Sequence, residues 1–234
     1  MPSDKRDVPP KAATKEPQYR ILLDRRDDHG LEPLGLMTNQ AWYDDPKRLA
    51  FTFARYKFVA KMLAGAKNVL EIGCGDAFAS RIVLQEVEQL SVTDFDPLFI
   101  ADIETRSVEN WRFAAAFVHD MLAAPPPGTY DGLYALDVLE HISPADENRF
   151  LTHMVGALAE HGTVIIGMPT LESQVYASPQ SKEGHVNCKS LPDLKSTMQG
   201  FFHNVFMFGM NDEVLHTGYH KMAHYIFALC CGKK

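Results

Sequence analysis

What this 234-residue chain has little of sets the first limits on it. There are only four cysteines, Cys74, Cys188, Cys230 and Cys231. None stands in a C-x-x-C pair, and the adjacent Cys230 and Cys231 are ill placed to bridge each other. That pattern predicts reduced thiols and a cytoplasmic location rather than a disulfide framework. No apolar run reaches the ~18 residues that a membrane-crossing helix needs, so no membrane partner is expected. The start, MPSDKRDVPPKAATKEP, is polar and proline-rich and carries no apolar signal segment. Residues 1–18 therefore read as a disordered tail. Positive charge is not in excess either: 23 Lys and Arg face 30 Asp and Glu, for a net charge of −7. The basic footprint of a nucleic-acid binder is missing, which excludes DNA as a partner and disfavours RNA. No internal repeat is present.

What remains is ordinary globular usage, 46% hydrophobic and 23% charged, in a length that suits one domain. Residues 19–65 read as an N-terminal helical lid segment. Within it GLMTNQAWYDD looks irregular, and a helix opens at Pro46 and closes near Gly65. From residue 66 to 234 strands and helices alternate. The strands are KNVLEI, LSVTDF, AAAFVH, DGLYALD and GTVIIGM. Helices lie over AFASRIVLQEV, over PLFIADIETRSVE, from Ser143 to about Glu160, and from Ser190 to about Gly200. Such alternation predicts an α/β fold with a mostly parallel sheet and helices on both faces. Two last strand-like runs, FFHNVFMF and AHYIFALC, have no helix between them, so they should pair antiparallel at one end. Seven strands are expected in all.

The stretch VLEIGCGDAF, residues 69–78, concentrates the chemistry. A strand runs into Gly73 and Gly75, where glycine permits a turn and a close approach to a ligand. Asp94 ends the next strand, 19 residues after Gly75, the spacing at which an acid reaches a ribose diol. Phe78 stands where a dinucleotide fingerprint would place its third glycine. That glycine lets a helix pack close behind a pyrophosphate, so its absence argues against NAD. The elements together point to a nucleoside-type cofactor without phosphates.

EIGCGDAF resembles motif I of the class I S-adenosylmethionine (SAM)-dependent methyltransferases. VTDFDP, FVHDM and YDGLYALDVLEHI resemble their second, third and fourth motifs, and the closing strand pair resembles their reversed hairpin. The resemblance covers roughly Arg55 to Cys230. It implies a Rossmann-like fold with SAM as cofactor and S-adenosylhomocysteine (SAH) as product. By that resemblance Asp94 holds the ribose hydroxyls, and Glu71, Gly73, Cys74 and Gly75 line the methionine part and the ribose. Phe95 covers the adenine, and Asp120 and Met121 read its edge. Leu136 and Asp137 flank the amino-acid end, and Arg55 or Tyr56 reaches the carboxylate.

A sulfonium is already activated, so the remaining demands are positioning of the acceptor and, for a hydroxyl, removal of its proton. D-x-x-E-H at Asp137, Glu140 and His141 leaves the fourth strand beside the expected methyl group. The pattern resembles methyltransferases of the ubiquinone O-methylating type. It also resembles small-RNA 2′-O-methylating enzymes, in which E-x-x-E-H and a later His hold a divalent metal. His185, in GHVN, stands where such families carry a further His. Two readings stay open: His141 or His185 as a general base without metal, or Asp137, Glu140, His141 and His185 as a metal site. The acid in the first position is Asp rather than Glu, and a metal is not expected. Candidate acceptor-pocket residues are Met37, Trp42, Tyr43, Phe51, Tyr176, Met210 and Tyr219. PTLESQVYASPQSKEGHVN reads as a mobile active-site loop. The expected activity is O-methylation of a small-molecule acceptor of natural-product or sugar-like type, by a monomer or homodimer. The alternatives are an RNA or protein methyltransferase, or a SAM-binding protein without catalysis.

Overall fold

The computed structural model describes residues 13–106 and 111–234; the first twelve residues of the expected tail and the Ser107–Glu109 end of the expected third helix lie outside them. The chain divides into two compact units, 1–33 and 34–234. The described part of the first holds a 3-10 turn, Pro17–Tyr19, and α1, Arg20–His29.

The second unit is built on one sheet. Its strands are β1 Val69–Ile72, β2 Leu90–Asp94, β3 Ala115–Val118 and β4 Tyr130–Leu136, followed by β5 Leu158–Pro169, β6 Phe202–Asn211, β7 Val214–His216 and β8 Tyr225–Lys233. Their order is β3-β2-β1-β4-β5-β8-β6-β7. β1 to β5 run parallel, and β8 enters antiparallel between β5 and β6. The seven expected strands are thus joined by a short eighth, β7, which folds back on the end of β6. The sheet is mostly parallel and Rossmann-like, and helices cover both faces.

Alternation along the strands makes two cores. Val69, Tyr134, Ile165 and Phe227 face the layer of α3, Lys47–Met62, where Phe58, Val59 and Leu63 lie. Leu70, Leu133, Ile166 and Ile226 face the layer of α6, Glu147–Gly156, and α8, Leu191–Gln199, among Phe150, Leu151, Met154, Leu194 and Met198. Strands buried on both faces read as continuous apolar runs, which is why this part of the sequence was easy to place.

Four stretches depart from expectation. GLMTNQAWYDD is a helix, α2 Leu36–Asp44. Its N-cap, Gly35, has no side chain, but two carboxylates of the sheet domain cap it from outside. Asp76 accepts the Thr38 amide at 2.6 Å, and Asp102 accepts the Leu36 amide at 3.3 Å. Orphan donors at a helix start need such partners, and nothing local announces them. The helix after β1 is only α4, Ser80–Leu84, because Ala77 turns at a φ of 49°. α6 ends at Gly156 rather than near Glu160, and β5 begins at Leu158, which pairs with Tyr130. The expected loop after β5 is folded into a 3-10 turn, Glu172–Tyr176, and α7, Pro179–Gly184. Thr170 ties its base to the segment just before β8, donating from Oγ1 to the Ala223 carbonyl at 2.9 Å. α5 spans Pro97–Arg106 as far as it is described.

Candidate active site

The carboxyl ends of β1, β2, β3 and β4 carry the residues expected at the cofactor. Gly73 and Gly75 both take positive φ, 72° and 52°. A Cβ on Gly73 would collide with Val138 Cγ2, and one on Gly75 with Met37 Sδ. Glycine is therefore required twice, by backbone conformation and by space. Asp94 closes β2 and accepts the Gly75 amide at 2.9 Å and the Asp96 amide at 3.0 Å, one on each oxygen. Each oxygen keeps a lone pair for a diol. Phe95 follows with its ring 74% exposed. Past β3, Asp120 is exposed and accepts the Leu122 amide at 2.8 Å, while Met121 is buried. Cys74 is buried, and burial pushes its thiol up, so it stays a neutral wall of the loop. Leu136 is buried at the end of β4, and Asp137 leaves the strand at a φ of 57°. The loop has bare backbone, a ribose-type acid and an aromatic flank, and no helix start shaped for a pyrophosphate. These donors fit SAM.

Glu71 lies under this loop. Tyr56 and Tyr134 each donate a hydroxyl to it at 2.7 Å, one per carboxylate oxygen. Burial pushes its carboxyl up to about 7, against the hydrogen bonds from Tyr56 and Tyr134. A carboxyl raised on folding is penalised once it ionises, so its contribution is fully present below the unfolded value near 4.5 and fades as pH rises to about 7. The loss is on the order of 3 kcal/mol. Glu71→Gln should therefore flatten the decline in melting temperature between pH 5 and pH 8; an unchanged decline in thermal melts would refute this.

Arg55 and Tyr56 divide. Tyr56 serves Glu71, whereas Arg55 pairs with Asp137 at 3.0 Å through Nη1. The Arg55 guanidinium lies 3.7 Å from the Tyr225 ring centroid and 5.0 Å from that of Phe51. It also lines a cavity of about 310 Å³ with Phe51, Gln174, Tyr176, His185 and His224. Two of the expected pocket residues, Phe51 and Tyr176, reach this cavity. Met37 lies instead against the glycine loop, Met210 is buried in the core, and Trp42, Tyr43 and Tyr219 are exposed. Gln174 comes from the expected active-site loop, and His224, which was not expected at this cavity, comes from just before β8.

His185, on the wall of this cavity, meets His141, with ring centroids 5.1 Å apart. The His141 Nδ1 faces the Gly184 carbonyl at 2.9 Å. The His185 Nδ1 faces Gln174 Oε1 at 2.8 Å. Gln174 Nε2 donates to the Thr170 carbonyl at 3.0 Å, which fixes its amide so that Oε1 can only accept. Both Nδ1 atoms must therefore carry the proton, and both Nε2 atoms keep their lone pairs. Burial, then the neighbouring His141, lowers the His185 pKa and favours the neutral ring.

Glu140 lies behind them, fully buried, and neither of its oxygens has a hydrogen-bond partner among the described residues. Burial, then Asp137, holds its carboxyl well above the usual range. Its main-chain carbonyl accepts the Val186 and Asn187 amides at 2.8 and 2.9 Å, which docks the His185 segment onto the Glu140 turn. Glu140, His141 and His185 offer ligand atoms all within 4.8 Å of one another. Asp137, the fourth residue expected there, is outside that group and engages Arg55.

Known proteins share the family and the fold. A family described as methyltransferase domain matches residues 42–201. A probable SAM-dependent methyltransferase of Mycobacterium tuberculosis is 24% identical over 166 residues, which is 70% of this chain and 53% of that protein. The chain thus spans about half the length of the curated relatives it matches. Among solved structures, the N-methyltransferase NodS of Bradyrhizobium japonicum, in complex with SAH, superposes with a TM-score of 0.60 at 17% identity, over 82% of this chain and 90% of that one. A DhpI–SAH complex gives 0.61 at 15%, over 83% and 91%. The methyltransferase domain of a bacterial Hen1 gives 0.64 at 15%, over 77% and 98%. With the family match running across the glycine loop, Asp94 and the Glu140–His141 turn, the chain belongs to the class I methyltransferases that take their methyl group from SAM.

Proposed function

We propose that this protein methylates a hydroxyl oxygen of a small molecule held in the 310 Å³ cavity, with His185 Nε2 as the base. The observation that carries the reading is the locked tautomer: His185 Nδ1–H donates to Gln174 Oε1, so the neutral ring keeps its lone pair on Nε2, and His185 lines the cavity. Bound SAM supplies an activated methyl group. The chain's own part is then to hold the hydroxyl in line, accept its proton at Nε2 and exclude water, with the 172–184 segment as cover. NodS and DhpI share this fold. The test is conversion of SAM to SAH in the presence of a small-molecule extract freed of RNA and protein. Turnover only with the macromolecular fraction would overturn the small-acceptor reading, and none with either would favour a SAM-binding protein without catalysis.

A second reading is favoured by Glu140. A buried carboxylate without a partner is costly unless it is protonated or faces a cation. Glu140, His141 and His185 would hold a divalent ion through one oxygen and two imidazole nitrogens. Such an ion would lower the pKa of a coordinated acceptor hydroxyl. Under the first reading kcat survives exhaustive chelation and dialysis unchanged. Loss of activity restored by Mg2+ or Mn2+, with about one ion per chain by elemental analysis, establishes the second.

A further inference from the structure

The wall of the cavity around Arg55 has a chemistry the hydroxyl alone does not explain. Arg55 is buried and fixed between the Tyr225 and Phe51 rings, and its Nη1 is taken by Asp137. Its Nε is buried with no partner among the described residues. An unsatisfied donor on a buried cation is expensive to leave unmade. His224, on the same cavity, has its Nε2 lone pair filled by the Asp212 amide at 2.6 Å. Its neutral ring therefore carries the proton on Nδ1 and can only donate, the opposite of His185. Ser181, which accepts from the Ser178 hydroxyl, keeps its own proton as a further donor, and no Asp or Glu lines the cavity among the described residues. One wall thus offers a lone pair and the other offers donors.

We infer that the acceptor is a hydroxy acid, its carboxylate received by Arg55 and the Nδ1–H of His224 while the hydroxyl to be methylated lies at His185 Nε2. This rests on the function proposed above and names its substrate class. Charge argues for a carboxylate over a phosphate. Asp137 already takes part of the Arg55 charge. A monoanion therefore asks less countercharge of this wall than a phosphate dianion would. Arg and carboxylate also share the planar fork geometry that makes such pairs strong. Arg55 would then recognise the acceptor rather than the carboxylate of the cofactor, the role the sequence suggested for it.

The test uses the full-length protein saturated with SAH and calorimetric titration of acid and neutral partners. The pairs are glucuronate and glucose, 4-hydroxybenzoate and 4-hydroxybenzamide, and malate and malamide, with glucose 6-phosphate as the phosphate arm. In at least one pair the acid should bind about tenfold tighter than its neutral partner. Arg55→Gln should abolish that preference while the SAH dissociation constant moves by less than about threefold. Absence of an acid preference in every pair, absence of any binding included, overturns the inference. Tighter binding of glucose 6-phosphate than of every carboxylate overturns it too. A loss of SAH affinity in Arg55→Gln with the acid preference intact assigns Arg55 to the cofactor and overturns it as well. Where Arg55→Gln does not fold, the wild-type pairs and Arg55→Lys, which should keep only part of the preference, decide. Failure of the wild-type protein to bind SAH would instead undo the cofactor reading itself.

Discussion

Replacing His185 by Gln should lower kcat by about 10²–10³-fold, the range that removal of a positioned general base produces. The dissociation constant for SAH should stay within about twofold, because a proton acceptor acts in the transition state and not on the bound cofactor. Gln keeps much of the ring's bulk and can still hydrogen-bond to Gln174, so folding is not the variable. The pH profile gives an independent check. The base must be neutral to act, and burial lowers the His185 pKa from 6.5. Wild-type kcat should therefore rise with pH and level off below the ordinary histidine range. A plateau beginning well above it would exclude His185 as the base. If a divalent ion occupies the site instead, His185→Gln should also lower the bound metal, which separates the two readings in one preparation.

The second large effect is expected at Gly73→Val. A φ of 72° costs a residue with a side chain about 1–2 kcal/mol, and more when it is β-branched. The new side chain also runs into Val138 Cγ2, which adds about 1–3 kcal/mol of overpacking. Together this is a large part of the roughly 5–15 kcal/mol that holds a domain folded. Urea unfolding should show the loss, and calorimetry should show SAH affinity falling by more than about tenfold as the loop yields. Gly65→Ala is the control. It has a φ of 80° but nothing within 4 Å of the added carbon, so it carries the conformational cost alone. Equal losses at the two positions would mean that the contact with Val138 contributes nothing.

What the sequence made legible follows from what is local. Continuous apolar runs such as residues 133–136 and 164–166 located the buried strands, and the Gly73–Gly75 turn with Asp94 nineteen residues on located the cofactor end. His141 and His185 were readable because each sits in a short motif. Their separation in space was not: it depends on the Glu140 carbonyl binding the Val186 and Asn187 amides. The partner of Arg55 was not legible either, since Asp137 lies 82 positions away across two layers. His224, just before β8, reaches the cavity through the antiparallel return of that strand beside β5. The short eighth strand escaped because three residues give too little alternation to be recognised.

The external capping of α2 bears on the order in which the chain takes shape. A nine-residue helix is too short to persist alone in water, and its first amides are held by Asp76 and Asp102. Asp76 and Asp102 follow Asp44 by 32 and 58 positions, so residues 36–44 are synthesised before the groups that cap them. α2 therefore waits for β1, β2 and α5 to assemble before it can form. An early segment of the chain becomes one of its late structures, and it docks as the glycine loop reaches its final shape.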